Sequence, residues 1–134
     1  QAPPKSTGRD LFHWAWLEQQ RCAFGDAAAA DVQATLTAFT AQACADSVRP
    51  FSDGAHTLLV CGGGALNAYL MAQLQQRLPQ LQVVSTAARG LPPLQVEAAA
   101  FAWLARQCWL GQAGNLPAVT GAQGPRILGA IYQA

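Results

Sequence analysis

The chain has 134 residues, of which 51% are apolar and only 11% charged, against roughly a quarter charged in an ordinary soluble domain. Eight basic residues face seven acidic ones, and the arginines are scattered singly from Arg9 to Arg126, so no basic stripe points to nucleic acid. No apolar run approaches the roughly 20 residues that span a bilayer, which excludes a transmembrane helix as the expected role.

The length fits one domain able to bury a core. So few charges suggest that part of the surface is covered by something else; an alanine-rich composition with no partner is the equal alternative. Gln1-Ala2-Pro3-Pro4-Lys5 carries no initiator Met and no signal-peptide apolar region, the start expected of a processed, trimmed or fragmentary chain. Ser6-Thr7-Gly8 offers hydroxyl caps for a helix from Arg9 to about Cys22, with Leu11, Trp14 and Leu17 at helical spacing and Phe12 and Trp16 widening the stripe. Gly25-Asp26 breaks it, and Asp26 is a candidate N-cap for a second helix. That helix runs to about Val48 through Val32, Leu36, Phe39 and Ala43. Arg49-Pro50 stops it, since proline lacks the amide donor and disfavours helix in the residue before it.

His56 to Cys61 reads as a short, fully buried strand, apolar with no alternation. Gly62-Gly63-Gly64 follows, and Ala65 to Leu78 makes a third helix with Leu66, Leu70, Leu74 and Leu78 on one face, closed by Pro79. Gln82 to Ser85 is a second strand. Arg89-Gly90-Leu91-Pro92-Pro93 is a rigid loop into a fourth helix, about Leu94 to Leu110, with Val96, Ala100, Trp103 and Leu104 inward. Gly111 to Gly124 is a long loop, and Ile127 to Ile131 a candidate last strand. Strands alternating with helices argue for parallel β-α-β units. Two or three strands cannot cover four helices on both faces, a deficit that fits half of a domain.

The four cysteines (Cys22, Cys44, Cys61 and Cys108) form no CxxC pair, and the chain has two histidines. Metal binding is therefore not expected, and free thiols in a reducing cytoplasm are.

A buried strand that runs through glycines into a helix sets bare backbone amides at a helix start, where an anionic oxygen is favoured. Glycine lets a phosphate or sugar approach where a Cβ would clash. Gly62-Gly63-Gly64-Ala65-Leu66-Asn67 is not a P-loop, since no Lys-Ser/Thr follows, and Asn67 stands where a GxGxxG fingerprint needs glycine. A tight turn with no ligand is the plain alternative.

Leu59-Val60-Cys61-Gly62-Gly63-Gly64-Ala65-Leu66-Asn67 resembles the adenosine-side motif of the anhydro-N-acetylmuramic acid kinases, members of the sugar kinase, Hsp70 and actin superfamily. Three more stretches resemble that family in the same order. Pro4-Lys5-Ser6-Thr7-Gly8-Arg9-Asp10 is similar to its Pro-Lys-Ser-Thr-Gly-Arg-Glu segment. Leu91-Pro92-Pro93 through Val96-Glu97-Ala98 and Phe101-Ala102 resembles its helix-opening motif. Gly114 to Ala122 is similar to its near-terminal loop. The resemblance covers essentially the whole chain but only the C-terminal portion of the longer family enzyme. The family's phosphate-binding loop and catalytic aspartate lie upstream of what is matched.

The resemblance implies an α/β fold, a partial ribonuclease H-like (actin-like ATPase) half-domain of few, mostly parallel strands with four helices. Residues 1–134 would be the C-terminal part of a nucleotide-binding kinase domain. It implies a cytoplasmic bacterial enzyme of peptidoglycan recycling that uses ATP and Mg2+. Such an enzyme opens the 1,6-anhydro ring of anhydro-N-acetylmuramic acid with water and phosphorylates O6, giving N-acetylmuramic acid 6-phosphate. This segment alone is expected to be inactive, with the N-terminal half of the same enzyme as its partner; the apolar balance and the family suggest a homodimer.

By the same match Gly62, Gly63, Gly64 and Asn67 line the nucleotide site, and Glu97 faces the sugar. Glu97 is one of two glutamates, set in the apolar turn Val96 to Ala100, where a carboxylate needs a partner; an acid favoured by the helix dipole is the plain reading. His13 stands where the family often has Asn and reads as surface. Lys5 reads as part of a solvated cap, Trp103 and Trp109 as core or interface, and Asn115 and Thr120 either as ligand-closing or as turn-structuring residues. Two other functions compete with the kinase segment: a non-catalytic nucleotide-binding or assembly module, and a sugar or acetate kinase of the same superfamily with another substrate.

Overall fold

The computed structural model describes residue 8 and residues 10–132. The readings of Lys5, of the Ser6-Thr7 caps and of Arg9 lie outside the described residues. The chain divides into two compact units: residues 27–98, and residues up to 26 together with those from 99 onward.

The unit of residues 27–98 is built on a β-α-β turn. Strand β1 (Thr57–Val60) and strand β2 (Gln82–Ser85) pair in parallel, Thr57 opposite Gln82 and Val60 opposite Ser85. A hydrogen bond from the Gln82 N–H to the His56 carbonyl (2.9 Å) extends the ladder by one rung. Helix α3 (Ala68–Arg77) connects the two strands, as parallel pairing requires. It packs on helix α2 (Ala29–Val48). Ala45 of α2, Leu78 and Leu81 form the buried cluster, with Val48 and Leu58 against it.

The face that α2 buries is Thr37, Ala41 and Ala45, rotated from the expected stripe: Val32 and Leu36 are half-buried, Phe39 and Ala43 exposed. Small side chains let two helices approach closely, and the longer Leu74 and Leu78 fill the space from the α3 side. The Thr37 hydroxyl donates to the Gln33 carbonyl at 2.9 Å, so this buried polar group is satisfied within its own helix.

Polar side chains fix the same packing. The Gln75 side chain donates to the Leu81 carbonyl (2.8 Å) and accepts from the Val83 N–H (3.0 Å), holding the turn between α3 and β2. Arg77 Nε donates to Gln42 Oε1 (3.1 Å), and the Arg49 guanidinium, paired with Asp46, donates to the Arg77 carbonyl (3.2 Å).

The other unit holds helix α1 (Trp14–Arg21), the greater part of helix α4 (Val96–Trp109) and the short helix α5 (Pro117–Thr120). Gly114 lies against Leu104 and Leu128, and Gly129 against Cys108. The Gly114 N–H donates to the Arg126 carbonyl at 2.9 Å.

Several expectations are corrected. Helix α1 starts at Trp14, because His13 caps it by accepting the Trp16 N–H at 3.3 Å. Asp26 is not the cap of α2, whose N-cap is Ala28 with no side-chain bond. The glycines do not run directly into an α-helix: residues 63–66 form a 3-10 turn, and α3 begins only after Asn67. Strand β1 is half-buried, with Leu59 exposed. Leu66 is exposed, as are Ala100 and Trp103, which leaves Val96 and Leu104 as the half-buried residues of the predicted α4 face. Among the described residues no strand forms at 127–131. Three cysteines are exposed and Cys108 is partly buried; all four are free thiols. The fold class stands in its coarser form: α/β, with five α-helices and a two-stranded parallel sheet among the described residues. Among the same residues no helix is long and apolar enough to cross a membrane.

Candidate functional site

The glycine turn sits at the carboxyl end of β1, the side of a parallel sheet where ligands bind in open α/β folds. Gly62 adopts φ 76°, ψ −175°, a backbone region essentially closed to other residues. That conformation turns the chain out of the sheet and into the 3-10 turn at Gly63. Added Cβ atoms at Gly62 or Gly63 would meet nothing within 4 Å, and one at Gly64 would come 3.1 Å from Leu70 Cδ2. The space over Gly62 and Gly63 is thus open to an approaching ligand. The Gly63 and Gly64 N–H groups make no backbone hydrogen bond among the described residues. They are free to donate to an anionic or hydroxyl oxygen.

Asn67 has a structural duty at the end of this turn. Its Oδ1 accepts the Leu70 N–H at 3.1 Å and caps α3. Asparagine serves there because it accepts a helix N–H while staying extended itself. Asn67 itself is an exposed residue. The N-terminus of α3 is therefore already capped, and what the glycine turn presents is bare amides rather than the end of a long helix.

The second stretch meets the first through one backbone bond. The Gly62 N–H donates to the Pro93 carbonyl at 2.8 Å. Pro93 opens a 3-10 turn (Pro93–Gln95) that leads into α4, and Glu97 stands in the first turn of that helix. Glu97 is exposed, as are Ala98, Ala99 and Ala100. The apolar surroundings therefore do not force a partner upon it, and as it stands it is a first-turn acid favoured by the helix dipole. The structure thus links Gly62, Gly63, Gly64 and Asn67 with the helix that carries Glu97. The Pro93 carbonyl has no signature a sequence could show, because any residue supplies that acceptor; only the Leu91-Pro92-Pro93 stretch hinted at a fixed turn.

The remaining candidates have structural roles. Asn115 Nδ2 donates to the Gly124 carbonyl (3.1 Å), and its Oδ1 accepts the Arg126 N–H (2.6 Å), so this side chain closes the 115–126 loop. The Thr120 hydroxyl donates to the Leu116 carbonyl (3.2 Å) and accepts the Ala122 N–H (3.4 Å), with Gly121 left-handed behind it. His13 is an exposed cap. Among the described residues no group of three His, Cys, Asp or Glu side chains could hold a metal ion.

A protein-family model described as anhydro-N-acetylmuramic acid kinase matches residues 1–134. A curated relative of that name from Albidiferax ferrireducens is 58% identical over 134 residues, covering 100% of this chain and 34% of its own length. One from Variovorax paradoxus is 59% identical over 133 residues, covering 99% of this chain and 36% of its own. One from Chromobacterium violaceum is 52% identical over 133 residues, 98% of this chain and 36% of its own. The chain spans about a third of the length of the curated relatives it matches.

Proposed function

This chain belongs to the anhydro-N-acetylmuramic acid kinase family, and from that premise we propose that it forms the adenosine side and part of the sugar side of that enzyme's cleft. The observation that carries the reading is the 2.8 Å hydrogen bond from Gly62 to Pro93. It joins the open glycine turn to the start of the helix bearing Glu97, which supports reading two stretches about 31 residues apart as parts of one site.

In the complete enzyme the reaction consumes one water and one ATP. Water adds to the anomeric carbon as the C1–O6 bond breaks, the water's proton passes to a general base, and O6 takes the γ-phosphoryl group with ADP leaving. Residues of this segment hold and orient. Gly63 and Gly64 offer their N–H groups to the nucleotide, Gly62 shapes the approach, and the Asn67 NH2 donates beside them. Glu97 accepts from sugar hydroxyls near the reacting end and fixes O6 for transfer. The base and the groups that hold the transferring phosphates belong to the enzyme's upstream part, so this segment alone is inactive.

The open, Cβ-free turn fits ATP. Mg2+, which neutralises phosphate charge in such transfers, has no donor cluster among the described residues, and no ligand in this segment is assigned to it. The ribonuclease H-like sheet, a homodimer and a cytoplasmic place in peptidoglycan recycling belong to the same proposal, supported by the family resemblance alone.

Glu97→Gln in a full-length enzyme carrying this segment tests it. Losing a charged hydrogen bond to the sugar removes about 1.5–3 kcal/mol, or roughly 10- to 150-fold in turnover, while ATP affinity is unchanged. Equal turnover for mutant and wild type would take Glu97 out of the sugar site. Nucleotide binding by a complete enzyme that leaves the anhydro sugar untouched would instead favour the non-catalytic module.

A further inference from the structure

Two backbone links hold the segment between β2 and α4. The Leu91 N–H donates to the Thr86 carbonyl at 3.3 Å, and the Pro93 carbonyl accepts the Gly62 N–H at 2.8 Å. The chain between and after these links has little torsional freedom. Pro92 is extended at φ −54°, ψ 136°, and the 3-10 turn from Pro93 to Gln95 passes into α4 through Val96 at φ −61°, ψ −42°, without a break. Each proline ring locks its own φ, and Pro93 keeps Pro92 out of the helical region. Glu97 follows in the first turn of the helix.

At the other end of the link, Gly62 stands beside the two glycines whose N–H groups are free. A ligand that pulls on Gly63 or Gly64 shifts the Gly62 peptide. A glycine-rich connection would absorb that shift. This one is stiffened by two prolines and would pass such a shift to the helix turn that carries Glu97.

We propose that Pro92 and Pro93 are positioning residues: a strut that makes the glycine turn and the Glu97 end of α4 move as one body, so that nucleotide and sugar bind the complete enzyme cooperatively. This rests on the assignment of the glycine turn to nucleotide and of Glu97 to sugar. The prolines act through Gly62 and Glu97 and need no ligand contact of their own. Coupling of this kind is reciprocal: whatever factor the nucleotide contributes to sugar affinity, the sugar returns to nucleotide affinity.

Isothermal titration of a full-length enzyme carrying this segment tests the strut, with a non-hydrolysable ATP analogue and anhydro-N-acetylmuramic acid as the two probes. Each probe is expected to tighten the other by about fivefold or more, within the usual range of allosteric coupling. Replacing both prolines, Pro92→Gly with Pro93→Gly, should bring that factor close to one while each probe's affinity alone stays near wild type. Pro93→Ala keeps the carbonyl and a helix-compatible residue, and should retain most of the coupling. Undiminished coupling in the glycine variant overturns the proposal. So does independent binding of the two probes to the wild type, a result that needs no variant and stands even where the glycine variant fails to fold. Failure of the wild type to bind the nucleotide analogue at all is a different result: it removes the functional reading, and the strut with it.

Discussion

Alanine substitutions at Gly62, Gly63 and Gly64 should separate the cost of folding from the cost of binding. Gly62 lies at φ 76°, ψ −175°, and an added Cβ there meets nothing within 4 Å. The penalty of Gly62→Ala is therefore torsional and not steric, about 1–3 kcal/mol for an alanine held in that region. The chain can escape by rotating the peptide, but this breaks the bond to Pro93 and gives up about 0.5–1.5 kcal/mol. Either way stability falls. Gly63 has no positive φ and equally open surroundings, so Gly63→Ala leaves stability unchanged or raises it by about 0.4–1 kcal/mol through the unfolded chain. Gly64→Ala needs a few tenths of an ångström from Leu70 Cδ2, 3.1 Å from the new atom and at the end of a flexible side chain; its cost is small. Nucleotide affinity should follow another order, because the methyl group of Gly63→Ala enters the space the ligand needs. Urea unfolding followed by circular dichroism, and titration with ADP, on the same full-length proteins check both orders. An unchanged midpoint for Gly62→Ala refutes the torsional account, and full affinity in Gly63→Ala refutes the site.

Four further substitutions probe other features. Leu78→Ala empties a fully buried position in the cluster with Ala45 and Leu81 and should cost about 2–5 kcal/mol, whereas Leu66→Ala, at a residue 65% exposed, should stay within about 0.5 kcal/mol; urea midpoints decide. Asn67→Asp keeps the α3 cap and places a carboxylate beside the free amides, so ADP affinity should fall while the melting temperature holds; a matching loss of both would make Asn67 a cap and nothing more. Asn115→Ala removes both bonds that close the 115–126 loop and should cost about 1–3 kcal/mol locally, read as faster hydrogen exchange at the Arg126 amide with turnover little changed.

The elements legible in the sequence are those with a local cause. The strand at 57–60, the strand at 82–85 and the stop at Pro79 each follow from a few adjacent residues: apolar β-formers, or a proline without a donor. Caps were harder to read because several residues compete for them. Asp26 and His13 can each accept a helix N–H, and only His13 does. The glycine run looked like the start of an α-helix because Ala65 and Leu66 favour one. The Asn67 side chain wins instead, taking the Leu70 N–H and beginning α3 at Ala68, three residues beyond Ala65.

Burial was the least legible property, and Glu97 shows why. Periodicity tells which face of a helix is apolar, but only a neighbouring element decides whether that face is covered. In α4 the apolar residues Phe101 and Trp103 are exposed, 62% and 51%, and so is Glu97. Its apolar neighbours therefore cannot be the reason it needs a partner. What singles it out is its position, in the first turn of a helix whose approach is tied to Gly62 through the Pro93 carbonyl. A first-turn acid retained only for the helix dipole is worth about 0.3–1 kcal/mol of stability, and glutamine there would cost no more than that. A loss of turnover in Glu97→Gln with folding stability and ATP affinity intact is the outcome expected of contact with the sugar, and unchanged turnover would leave Glu97 a first-turn acid.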